Sequence, residues 1–247
     1  MARMRVYRMA EQNIGIVSLH ERVHARCAAY RVEGEPDFTV QTCQADIDRE
    51  RAKSAREARL EGRPVNDWSD AYLEELALYR QIAERLPARG AFLVHGSAVA
   101  VDGQGYLFAA RSGMGKSTHA RLWQALLGER FAYVNDDKPL IRLTEKEVWV
   151  CGTPYDGKHR LSRNTVVPLR AICLLQRGEK NIIRPMGARE AFPRLLQQVY
   201  CPEDSQAFGQ TMALLQSLME RVKLYELVCN TDLEAAQVAF WGMGGTL

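Results

Sequence analysis

Apolar positions change their period near residue 91, and that change divides the chain. From Ser69 onward, Tyr72, Leu76, Tyr79, Ala83 and Leu86 recur at spacings of four and three. That spacing predicts an amphipathic helix, capped by Ser69 and stopped by Pro87. Before it, short apolar-alternating runs at Ala25–Val32 and Phe38–Cys43, broken by Gly34 and Pro36, predict a small sheet of weakly specified strands. Asp46 to Arg63 is nearly all charge and alanine, with Ile47 and Leu60 its only large apolar residues. It reads as a solvated helix or a mobile connection, and its interleaved acids and bases argue against a nucleic-acid-binding arm.

Beyond residue 91 the period is that of strands. Ala91–His95 and Ala98–Val101 lead into Asp102-Gly103-Gln104-Gly105 and then Tyr106–Ala110, a β-hairpin whose second strand feeds a glycine-rich loop. Thr118–Leu127 has helical spacing and closes at Gly128, and Phe131–Asp137 is a strand ending in two acids. Leu140–Leu143 with Val148–Val150 predicts a further hairpin, and Val166–Gln176 a strand entered through Pro168. Ala188–Tyr200 and Gln206–Val222 read as helices, Lys223–Val228 as a last strand, and Thr231-Asp232-Leu233-Glu234 as a capping box opening a terminal helix. The expected organisation is a small N-terminal α+β region over residues 1–88 and a larger domain over residues 89–247.

Composition alters this picture little. An apolar fraction of 47% and a charged fraction of 26% are ordinary for a globular chain, and a net charge of +3 is too small and dispersed to imply nucleic acid. No stretch approaches the ~20 consecutive apolar residues of a membrane span. Met1–Arg5 runs into mixed polar sequence, which predicts no signal peptide. The six cysteines are scattered without metal-ligand spacing, so free thiols in a reducing cytoplasm are expected. Self-association into a homo-oligomer stays open.

The chemistry concentrates in Ser112-Gly113-Met114-Gly115-Lys116-Ser117-Thr118. Glycines let backbone N–H groups turn inward around phosphate oxygens, a lysine reaches the β- and γ-phosphates, and the Ser117 hydroxyl is placed for Mg²⁺. The following helix turns its positive end toward the anion. The usual pattern G-x-x-x-x-G-K-[ST] has glycine where this chain has Ala110. A hairpin directly upstream predicts a mixed or largely antiparallel sheet rather than the common doubly wound one. Asp136 and Asp137 follow after room for only one helix and one strand, where carboxylates serve Mg²⁺ and proton acceptance.

His95-Gly96-Ser97, the hairpin, the loop and Val134-Asn135-Asp136-Asp137 together resemble the catalytic domain of HPr kinase/phosphorylase and its phosphoenolpyruvate carboxykinase-like relatives. The resemblance covers about residues 90 to 240 and implies an α/β protein of α+β type. It would have a mixed sheet, a phosphate-loop core and an appended small N-terminal domain. The implied activity is that of a cytoplasmic Mg²⁺/ATP-dependent kinase moving the γ-phosphate to a hydroxyl of a protein, a peptide or a small molecule. Asp137 matches the family's catalytic carboxylate and would act as general base. Asp136 would hold Mg²⁺ with Ser117, although adjacent acids are not ordered by sequence and their roles can exchange. His95 would orient or tune an acid. Lys158 and His159, in the glycine- and proline-rich run from Gly152 to Arg160, are the better candidates for clamping substrate. Two other readings stand beside the kinase. A nucleotide hydrolase or switch predicts a parallel sheet and no histidine beside the acids, and a nucleotide-sensing module predicts binding without turnover.

Overall fold

The computed structural model describes residues 4–246; Met1 to Arg3, part of the segment behind the signal-peptide expectation, and Leu247, the end of the expected second domain, lie outside the described residues. The chain divides into two compact units, Met1–Arg85 and Leu86–Leu247. None of the described helices is long and apolar enough to cross a membrane.

The first unit holds β1 (Arg5–Met9), β2 (Gln12–Val17), α1 (Glu21–Arg26), β3 (Arg31–Val32), β4 (Phe38–Gln41), α2 (Gln44–Leu60) and α3 (Asp70–Arg85). Its four-stranded sheet runs β3-β1-β2-β4, with β4 parallel to β2 and the other pairs antiparallel. The expected strand over Ala25–Val32 is corrected, because only Arg31 and Val32 are extended and a helix ends at Arg26. Val23, Cys27 and Tyr30 are buried at spacings of four and three, so helical burial overrides the alternation. Asp46–Arg63 falls largely in α2, which is not simply solvated. Its Ile47 is fully buried, and its buried Glu50 receives both Nε and an Nη of Arg80 on α3. On α3, Leu73, Leu78 and Ile82 are fully buried, each contributing about 1.5–3 kcal/mol relative to exposure.

In the second unit the elements are β5 (Ala91–Leu93), β6 (Ser97–Val101), β7 (Gln104–Ala109), α4 (Lys116–Leu127), β8 (Phe131–Asn135), β9 (Leu140–Leu143), β10 (Val148–Cys151), β11 (Val166–Arg177), β12 (Ile182–Pro185), α5 (Ala188–Leu196), α6 (Ser205–Arg221), β13 (Lys223–Cys229) and α7 (Leu233–Gly242). Asp102 and Gly103 both take left-handed backbone, which matches the twist of the β6–β7 hairpin they join. The sheet runs β5-β9-β10-β11-β7-β6-β8, with β13 on β11 and β12 on β13. β11 is parallel to β7 and β13, and the remaining pairs are antiparallel, so the fold is mixed α/β with mixed sheets.

Alternation along β7 explains why both sheet faces are covered. Leu107 and Ala109 face a core shared with Leu195, Leu215 and Leu218 of α5 and α6. Tyr106 and Phe108 face another, shared with Trp123 of α4 and Phe240 of α7. The expected capping box at Thr231 is also corrected. Asp232 is the N-cap and makes no side-chain capping bond, because its carboxylate accepts from Asn230 Nδ2 at 2.8 Å.

The topology prepares one edge of the sheet. β7, β11 and β13 run parallel, and β8, antiparallel to β6, shares their direction. Their carboxyl ends therefore emerge together with the amino end of β6. In α/β sheets ligands bind outside such carboxyl ends.

Candidate functional site

The loop from Ala110 to Gly115 connects β7 to α4 at this edge. Gly113 and Gly115 have φ of 78° and 102°, a region in which a side chain is strained. Ala110, where the usual pattern has glycine, is not among the positive-φ residues, and its methyl is buried in the core around Trp123. The departure therefore leaves the loop's backbone unstrained at that position. Lys116 opens α4 and is buried, with Nζ donating to the Ala110 carbonyl at 2.8 Å. Burial lowers its pKa, and the nearby Asp137 carboxylate opposes that shift.

Asn135 at the end of β8 is fully buried and shapes the acids. Its Oδ1 accepts from Asp137 N at 2.9 Å and Lys138 N at 2.6 Å, while its Nδ2 donates to Thr153 Oγ1 at 3.0 Å. One side chain thus turns the chain after the strand and ties it to the loop after β10. Asp136 is buried, and its Oδ1 accepts from Gly157 N at 2.8 Å. Burial raises its pKa; the Gly157 bond offsets part of this, and Asp156 and Asp137 add to it. Asp137 is opposite in sign. Burial pushes its carboxyl up, but His95 Nε2 at 3.2 Å and the Lys138 ammonium outweigh burial and bring it down to about 2.

These residues meet in one cleft of about 670 Å³, lined by His95, Ser112, Gly113, Gly115, Lys116, Ser117, Thr118, Asp136, Asp137, Lys158 and His159. Every nominated side chain lies there except Met114, which lines two recesses beside it. Lys158 and His159 are exposed on the loop that Asp136 holds by Gly157. His119 does not join them: it is buried and accepts from Trp123 Nε1 at 3.0 Å through Nε2.

The sequence reading missed Arg121 and Arg177 in the cleft, and gave Gly157 no role. Arg121 is one helical turn beyond Ser117, so helical spacing could have found it. Arg177 ends β11, and its guanidinium donates to the Gly113 carbonyl. No local pattern marks it.

Among the described residues no group of three or more His, Cys, Asp or Glu could hold a metal by itself. Ser117, Asp136 and Asp137 fit instead the sparse donor set of a cation that is carried largely by phosphate oxygens. Cations lining the cleft outnumber its two carboxylates, so it can take a polyanion at the loop and leave an ionised acid beside it.

A protein-family model described as SynChlorMet cassette protein ScmC matches residues 63–231, more than half of the chain. No curated protein matches. Among solved structures, the Hpr(Ser) kinase/phosphatase from Coxiella burnetii is 10% identical with a TM-score of 0.35, over 60% of this chain and 93% of that one. That likeness is too distant to carry the site's chemistry.

Proposed function

The chain belongs to the SynChlorMet cassette protein ScmC family, and from the geometry of the cleft we propose that it is a Mg²⁺/ATP-dependent kinase acting on a hydroxyl-bearing acceptor. One observation carries the reading: Lys116, Ser117, Asp136, Asp137 and His95, from three separate stretches of chain, line the same cleft. The loop amides and Lys116 would hold the triphosphate, while Ser117 and Asp136 would hold Mg²⁺. A cation held there would supply neutralisation of the charge that develops on the phosphates in transfer. Asp137 is ionised at any pH well above about 2. It would align the acceptor hydroxyl and take its proton late, as a loose phosphoryl transition state requires little early deprotonation. His95 on Oδ1 of Asp137 and Lys138 on Oδ2 would fix the orientation of the carboxylate.

The switch reading expects a parallel sheet and no histidine beside the acids. Here β7 has an antiparallel neighbour in β6, and His95 contacts Asp137 directly. ATP binding and transfer of labelled γ-phosphate to a panel of peptide and small hydroxyl acceptors test the proposal. Asp137→Asn should keep ATP affinity within about twofold and cut transfer by about 10²–10⁴-fold. Undiminished transfer by that variant would remove Asp137 from the reaction, and ATP binding without turnover by the unaltered protein would favour a sensor.

A further inference from the structure

Beside the cleft, on the side away from the acids, lies a second recess of about 360 Å³ at the carboxyl ends of β11 and β13. It shares Gly115, Thr118 and Arg177 with the cleft, so the two are continuous. Its other walls include Leu122 of α4 and Thr231, which follows β13. We infer that this recess receives the nucleoside half, pentose and aromatic base, of the nucleotide whose phosphates occupy the loop. The inference rests on the phosphate-binding reading of the cleft.

Direction supports it. Asp136 and Asp137 follow β8, which β6 separates from β7, whereas Arg177 ends β11 and Thr231 follows β13, both on the opposite side of β7. A triphosphate with its terminal phosphate at the acids must therefore run its α-phosphate end past Thr118 toward the recess. The size falls within that of small-ligand sites, which pair apolar walls with a few fixed polar groups. Leu122 supplies an apolar wall. A fixed polar group comes from His119, which also lines the recess and is 2% exposed. Because His119 Nε2 accepts from Trp123, the neutral ring carries its proton on Nδ1, and Nδ1 has no hydrogen-bond partner among the described residues. A buried donor in that wall suits the acceptor atoms of a base or pentose.

Another recess of about 420 Å³ opens between the ends of β7 and β11 and α5, lined by Gln197 among others, but shares no wall residue with the cleft. The experiment compares inorganic tripolyphosphate with ATP, GTP, CTP and UTP by calorimetry on the full chain. In the unaltered protein ATP should bind at least tenfold tighter than tripolyphosphate. Thr231→Trp, at an exposed position in the mouth, and Leu122→Ala, which removes a wall, should each weaken ATP at least tenfold and leave tripolyphosphate within twofold. Gln197→Trp should change neither. If neither ATP nor tripolyphosphate binds the unaltered protein, the phosphate-binding reading itself fails, and the recess with it. Overturning the recess alone would take normal phosphate binding with ATP affinity untouched by both recess variants, or lost in Gln197→Trp instead.

Discussion

Acidification should weaken the second unit through His119. The imidazole is buried, T-shaped to Phe108 and tilted beside Trp123, whose Nε1 donates to its Nε2. Protonating Nε2 would place a charge in that apolar setting and turn the acceptor into a second donor facing the indole N–H. Burial accordingly lowers the pKa from 6.5 to about 4. The folded state then binds fewer protons than the unfolded chain, so stability present above the unfolded pKa is lost as pH falls toward the folded one. One proton is worth about 1.4 kcal/mol per pH unit, so acidifying from ~pH 7.5 to ~pH 5 should remove about 2 kcal/mol. Urea unfolding followed by tryptophan fluorescence, in a Trp68→Phe background that silences the first unit, measures this. His119→Leu is the control. It loses the indole bond at neutral pH, and its stability should change about 2 kcal/mol less across the same interval. Parallel pH profiles for the two proteins would refute the reasoning, whatever their offset.

Two other perturbations probe separate parts of the chain. Arg80→Ala leaves the carboxylate of Glu50, only 4% exposed, without its guanidinium, and should destabilise the first unit by about 3–5 kcal/mol. Hydrogen exchange of the β1 and β2 amides under rising urea checks it, and a cost below about 1 kcal/mol would mean that water reaches the pair. A Cβ on Gly157 would come within 2.9 Å of Asp136 Oδ2, so Gly157→Ala should push the cationic loop off the acid and slow phosphoryl transfer about 10–100-fold. Its ATP affinity should hold within about twofold, and unchanged transfer would show that Asp136 does not position that loop.

What could be read from residues alone was whatever finds its partner within a turn or two of chain. The Asp102-Gly103 hairpin, the loop's glycines and the two acids at the end of a strand are all of this kind. Where two local solutions compete, neighbours decide. Cys27 and Tyr30 lie in an apolar run that also reads as strand until their burial with Val23, at spacings of four and three, selects helical turns. Thr231 and Asp232 can each cap α7, and the bonds of Asn230 to Asp232 select the second as N-cap. The remainder of the site depends on register between strands far apart in sequence. Leu174 of β11 pairs with Ala109 of β7, and Arg177 with Cys229 of β13. Those parallel pairings extend β11 to Arg177, beyond the end of β7, and bring its guanidinium over Gly113. A shift of one residue would turn the Arg177 side chain to the other face of the sheet and separate it from the loop. Its place follows from the packing of alternate β11 residues against the two covered faces, Cys173 and Leu175 toward Phe240 and Leu174 toward Leu195. The core thus sets the register that completes the cleft.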